Sequence, residues 1–141
     1  MFPVFDTLAS YCAADFLIIF KMIFAVSMGF IIGRERQRVK KSAGLRTHII
    51  VCLSSATVVA VSMAAFPDAD SGARTIGAII TGIGFLGAGQ IMTSGGRVSG
   101  ITTAASIWAN ALIGIVVGLG YYLVAFVATM IMLLTFRMRK V

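Results

Sequence analysis

Charge is what this sequence has least of. Asp, Glu, Lys and Arg make up 12% of its 141 residues, acids number only five, and histidine appears once. A soluble enzyme core, a nucleic-acid domain and a disordered tail all need more polar surface than this. The two cysteines, Cys12 and Cys52, are far apart and belong to no CxxC pair, which excludes a disulfide scaffold and leaves them as small apolar residues. A single histidine, His48, finds no second imidazole to complete a transition-metal site. No Ser/His/Asp, Cys/His or paired-carboxylate constellation is present, so neither enzymatic chemistry nor a cofactor or metal is expected. The N-terminus has no Lys or Arg before Lys21 and carries Asp6, unlike the basic start of a cleaved signal peptide, so the first helix is expected to remain.

What the chain does have is apolar length. Hydrophobic residues are 59% before glycine is counted, against about 45–50% with glycine included in soluble chains. Residues 47–67, 75–96 and 98–136 contain no Asp, Glu, Lys or Arg, and 16–33 contain only Lys21. About 20 apolar residues cross the hydrocarbon of a bilayer. The pattern therefore predicts an all-α transmembrane protein, one domain over 1–141, with helices at about 14–33, 46–66, 74–92, 101–118 and 121–136. The last two must be separate, because one helix over 98–136 would be about 58 Å long, twice the hydrocarbon thickness. Gly118-Leu119-Gly120 supplies the turn, and Tyr121 and Tyr122 suit an interfacial belt.

The net charge of +7 speaks to orientation rather than to nucleic acid. Arg34, Arg36, Arg38, Lys40, Lys41 and Arg46 fill the first loop, Arg97 the third, and Arg137, Arg139 and Lys140 the tail. The second loop has Arg74 alone, beside Asp68 and Asp70. Positive residues collect on the cytoplasmic side, so five spans put the N-terminus outside and the C-terminus in the cytoplasm.

Gly82 to Gly89 satisfies the GxGxxG pattern of a dinucleotide turn, but its context fails. The pattern works after a strand and with an acid about 20 residues on, whereas these glycines lie in an uncharged run and no acid follows Arg97. Packing is the better reading, since helices in lipid associate through close approach at small residues. Gly29/Gly33, Ala73/Gly77, Ala78/Gly82, Gly84/Ala88 and Gly114/Gly118 are spaced for it, with Gly87 and Gly89 adding to the same helix. The glycines of span three predict a central helix touching neighbours on more than one face. A glycine-lined break is the alternative, as in transporters with interrupted helices.

Lys21 is the one basic residue well inside a span, and it either snorkels outward or meets a partner from another helix. Asp15 lies about 240° around the same helix and is not that partner. Arg34 and its neighbours anchor the topology and touch anionic lipid. Glu35, one carboxylate among six cations, is expected to pair with Arg46 across the first loop. His48 reads as a hydrogen-bonded structural residue. Asp68, Asp70 and Arg74 read as turn and capping chemistry, with weak divalent-cation binding as the rival. Gln90, Thr102, Thr103 and Asn110, at or within spans, are expected to bond between helices at about 0.6 kcal/mol each.

Gly33-Arg34-Glu35-Arg36, Ala43 to His48, Gly82 to Gly89, and Gly100 to Ala105 followed by Trp108 together resemble the MgtC/SapB family of bacterial inner-membrane proteins. The resemblance covers about Lys21 to Phe136, and Lys21 stands eight positions before Gly29, where members often carry a basic residue. It implies a five-helix multi-pass protein of the bacterial inner membrane, connected with low magnesium, acid stress and growth of pathogens inside macrophages. One member is associated with restraining the ATP synthase. It does not imply an established transport activity. Longer members continue into a soluble cytoplasmic domain of the ACT type, which has no counterpart here, so functions resting on that domain are not expected. Many members also have Gln where Ala78 stands and an aliphatic residue where Gln90 stands.

Two readings follow. In the first, the chain is a non-enzymatic regulator, a homo-oligomer that binds another membrane complex such as the ATP synthase or an ion transporter under magnesium or acid stress. In the second it is a transporter or channel for Mg²⁺ or H⁺, motivated by Lys21, Glu35, Gln90, Asn110 and the glycine-rich third span. A lipid-organising subunit is a third reading, which leaves Lys21 without a role.

Overall fold

The computed structural model describes residues 3–66, 68–94 and 96–138, with side chains from 14 onward except at 94. The expectations for Asp6, Cys12, Arg139 and Lys140 lie outside the described residues. Among the described residues five helices form one bundle: α1 (Pro3–Arg38), α2 (Leu45–Ala65), α3 (Ala69–Ala88), α4 (Ile101–Gly118) and α5 (Tyr122–Arg137). Ala14–Arg38 of α1, α2 and α4 are each long and apolar enough to cross a membrane. At 1.5 Å per residue the 16 residues of α5 cover about 24 Å.

Successive helices run antiparallel. The end of α1, the starts of α2 and α4, and the end of α5 meet at one end of the bundle, where Arg36 contacts Thr103 and Phe136 and His48 contacts Ser106. At the other end Lys21 reaches Gly118, and Tyr122 packs edge-on against Phe20 and Phe24 at 5.4 and 5.2 Å. The core joins Ala25, Met28 and Ile32 of α1 to Cys52 and Ala56 of α2, Ile113 and Val117 of α4, and Ala125 of α5.

Helix ends depart from expectation where the stop signal is unusual. α1 starts at Pro3 rather than about 14 and runs through Gly33 to Arg38, because Gly33 stays helical. Lys40 takes the left-handed conformation at φ 52°, and the amides of Lys40 and Lys41 bond the carbonyls of Gln37 and Arg36. This is a Schellman ending built on a lysine, which sequence does not advertise. α3 starts at Ala69 rather than about 74, because Asp68 caps it: its Oδ1 accepts from the Ser71 amide at 2.7 Å. The Ser71 hydroxyl and amide hold the Asp68 carboxyl below its ordinary pKa. α3 also ends at Ala88, before Gln90, and a short antiparallel hairpin follows, β1 (Met92–Ser94) with β2 (Arg97–Ser99). Gly95-Gly96 between two short polar segments was the available hairpin signal.

The glycines divide into two classes. A Cβ on Gly29 would stand 2.7 Å from the His48 carbonyl oxygen, and one on Gly33 2.7 Å from the Leu45 Cα. A Cβ on Gly118 would stand 2.7 Å from the Val59 Cβ, and one on Gly114 would collide with the Cys52 carbonyl. These four fit the packing expectation. Gly77, Gly82 and Gly84 do not: a Cβ there meets nothing within 4 Å. Gly87 makes ordinary contact with Ala104, and Gly89 meets only its own helix turn, where it caps α3. The expectation of a central third span is therefore corrected. α3 is continuous but peripheral, and of its residues only Gly72, Ile83 and Gly87 are buried. Small residues permit close approach without specifying which helix arrives.

Gly29→Ala should accordingly destabilise the detergent-solubilised protein by about 1–3 kcal/mol, the usual cost of overpacking. Gly84→Ala should be neutral or slightly stabilising, because it trades a poor helix former for a good one in open space. Thermal midpoints of the two variants check both signs.

Candidate functional site

Polar groups inside the bundle gather where α1, α2 and α4 meet. On α1 the positions facing α2 and α4 recur at Ala25, Met28, Gly29, Ile32 and Gly33, and the next step of that spacing is Arg36. Its side chain is only 3% exposed. One guanidinium nitrogen donates to Thr103 Oγ1 at 2.8 Å, the guanidinium carbon lies 4.8 Å from the Phe136 ring centre, and Nε has no partner. Delocalised charge and a flat face let arginine rest on an aromatic ring while buried.

His48, fully buried in the first turns of α2, continues the chain of contacts. Nδ1 lies 2.8 Å from the Gly44 carbonyl oxygen, which assigns a proton to Nδ1, and Nε2 lies 3.3 Å from Ser106 Oγ. The Ser106 hydroxyl is also 2.7 Å from the Thr103 carbonyl oxygen. It has one hydrogen for two acceptors. The shorter contact takes that hydrogen to Thr103, and Nε2 faces the hydroxyl oxygen, to which it donates when it carries a proton. Asn110, also fully buried, donates to the His48 carbonyl at 2.7 Å and leaves its own Oδ1 unpaired. Arg36, Thr103, Ser106, His48 and Asn110 thus form one buried polar path.

Other expectations fare differently. Lys21 meets a partner from another helix: Nζ donates to the Gly118 carbonyl at 2.7 Å, a cation at the negative end of α4. Glu35 does not pair with Arg46. It lines a surface hollow with Arg34, Arg38 and Arg137, while Arg46 is exposed on α2. Gln90 is not a span residue, since it follows the end of α3 and its Oε1 accepts from Ser42 Oγ at 3.0 Å, tying the first loop to the third. Thr102 faces outward, one residue out of phase with buried Thr103. Arg74 is exposed and donates to Ser71 Oγ one turn back at 2.9 Å. The sequence reading took Arg36 as a loop anchor and did not single out Ser106, although the 3.6-residue spacing of the Gly29/Gly33 face also reaches Arg36, which is buried on α1. Among the described residues, no three His, Cys, Asp or Glu side chains group to hold a metal ion.

Thr103→Val strands a buried guanidinium nitrogen and should cost about 1–3 kcal/mol, whereas Thr102→Val should change stability by less than about 0.5 kcal/mol. Adding Arg36→Met to Thr103→Val should restore part of the loss, because the donor then goes with its acceptor. Chemical denaturation in detergent micelles reads this cycle.

The model of the MgtC family matches residues 22–141, which include every residue of the buried path. Protein MgtC of Salmonella typhimurium is 44% identical over 115 residues, covering 82% of this chain and 49% of the relative. A protein of Escherichia coli named "Putative magnesium transporter YhiD" is 40% identical over 116 residues, covering 77% of this chain and 53% of its own length. Protein SrpB of Synechococcus elongatus is 38% identical over 129 residues, covering 82% of this chain and 71% of its own. The chain spans about half the length of the first two. No solved structure matches. Identity at this level across most of the chain, together with the family match, makes it a membrane protein of the MgtC family.

Proposed function

We propose that the chain is a non-enzymatic regulator in the bacterial inner membrane, a homo-oligomer that seats against another membrane complex, the ATP synthase or an ion transporter, and adjusts magnesium or acid-stress homeostasis. The observation that carries this reading is the outer face of α3. Ala73, Gly77, Thr81, Gly84 and Ala88 follow one another at helical spacing and are all exposed, and nothing in the chain comes within 4 Å of a Cβ at Gly77 or Gly84. In lipid, a row of small residues is a surface on which another helix lies close. The bundle itself uses the same device at Gly29/Gly33 and Gly114/Gly118, so the third row is a surplus. Orientation belongs to the same proposal: the end carrying Arg34 to Arg46, Arg97 and Arg137 faces the cytoplasm, and the end carrying Asp68, Asp70 and Arg74 faces out.

The second reading, transport of Mg²⁺ or H⁺, is favoured by the printed name of the Escherichia coli relative and by the buried path from Arg36 to Asn110. A buried guanidinium repels Mg²⁺, which takes oxygen ligands and negative charge, so that path suits a proton better than a metal.

Membrane-impermeant maleimide should label a cysteine placed at Lys41 only after permeabilisation and one placed at Asp70 in intact cells; the reverse pattern overturns the orientation. Cross-linking in native membranes should recover a partner with the parent chain and lose it with Gly77→Leu/Gly84→Leu, while thermal stability is kept. Flux in liposomes that Arg36→Met or His48→Ala alters would favour transport instead.

A further inference from the structure

Where α1 and α5 end side by side, a hollow of about 490 Å³ opens on the bundle surface. It is lined by an apolar set, Phe30, Ile31 and Leu133, taken as its floor, and a charged set, Arg34, Arg38 and Arg137 with the single carboxylate of Glu35, taken as its rim. A second hollow of about 460 Å³ lies on the other flank of α1 and shares Phe30, Arg34 and Arg38, adding Gln37 and Leu45. Phe30, Arg34 and Arg38 are four residues apart in succession and form one ridge along α1 between the two hollows. The Arg34 guanidinium carbon stands 6.0 Å from the Phe30 ring centre.

We infer that the hollow between α1 and α5 binds one anionic phospholipid, its phosphate held by Arg34, Arg38 and Arg137 and an acyl chain lying on Phe30, Ile31 and Leu133. The order of groups along the helices carries the inference. On α1 the apolar Phe30 precedes Arg34 by one turn, and on α5 the apolar Leu133 precedes Arg137 by one turn, both helices running in the same sense. The hollow is therefore apolar toward the middle of the spans and cationic toward their ends, the polarity of a lipid molecule in its leaflet. A free inorganic anion would use the rim and leave the floor in contact with hydrocarbon, and a soluble acidic peptide would not reach the floor. Three guanidinium groups against one carboxylate give a surplus of two positive charges. That surplus selects a headgroup of net negative charge over a zwitterion, whose ammonium it repels. Glu35 is placed to accept hydroxyl hydrogens from a glycerol headgroup. This differs from the general attraction of basic flanks to acidic lipid in being a single saturable site with a defined floor.

The test is native mass spectrometry of the whole chain in detergent, titrated with phosphatidylglycerol, phosphatidylethanolamine or phosphatidylcholine. One phosphatidylglycerol should be retained with at least tenfold preference over the other two, and it should raise the thermal midpoint. Arg34→Gln/Arg137→Gln should weaken that binding tenfold or more. Arg46→Gln/Arg97→Gln, which removes two cations outside the hollow, should leave it within twofold. Leu133→Trp, which fills the floor and keeps every charge, should also weaken it tenfold, and it serves as the deciding variant if the double arginine variant elutes as aggregate. Equal retention of the three lipids, or equal loss in the Arg46→Gln/Arg97→Gln protein, overturns the proposal. So does displacement of the lipid by millimolar inorganic phosphate together with an unaffected Leu133→Trp protein, the outcome of a free-anion site.

Discussion

The backbone of α2 is held from two sides by other backbones. Gly29 and Gly33 bring α1 against Leu45, His48 and Ile49, and Gly114 and Gly118 bring α4 against Cys52, Ala56 and Val59. Lipid tails are as apolar as leucine, so burying hydrocarbon between helices gains little there, and dispersion at close range has to do what the hydrophobic effect does in water. Both contacts leave less room than a methyl group occupies. α1, α2 and α4 are thereby fixed as a slab, with α3 and α5 laid on it.

Close approach has a consequence for the polar groups. With α2 pressed against α1 and α4, the side chains of Arg36, His48, Ser106 and Asn110 cannot reach water and must find partners inside the bundle. They do so almost completely: a guanidinium on a threonine, an imidazole between a carbonyl and a serine, an amide on the histidine's own carbonyl. Arg36 Nε and Asn110 Oδ1 are the two atoms left over. The path is joined partly through the hydroxyls of Thr103 and Ser106 and partly through the backbone carbonyls of Thr103 and His48, and it begins at the end of the bundle that carries the excess positive charge.

Much of the architecture was legible because lipid imposes simple arithmetic. Charge-free lengths gave five helices, and α4 begins and ends at the expected residues, 101 and 118, since Gly100 and the Gly118-Leu119-Gly120 turn are unambiguous signals. The end of α1 was not legible, because a lysine occupies the left-handed position where glycine is the usual sign. Nor was the place of α3, because glycine content says how near a neighbour can come and not whether there is one. The site was half legible. Thr103, Asn110, His48 and Lys21 do bond between helices, as polar groups in lipid must. Glu35 and Gln90 misled for one reason: loop geometry decides which side chains meet across a connection, and sequence spacing along helices carries no information about it.

Lys21 and Arg36 are fifteen positions apart on α1, and the two groups they grip, Gly118 and Thr103, are fifteen apart on α4. At 1.5 Å per residue both intervals are about 22 Å, so the two helices are pinned like rails with ties of matched gauge. Sliding one past the other by a single turn would pull both ties at once. Relative movement in this half of the molecule is confined to pivoting about the pair of pins, and the helix least tied to that frame is α3, with Gly72, Ile83 and Gly87 as its buried residues.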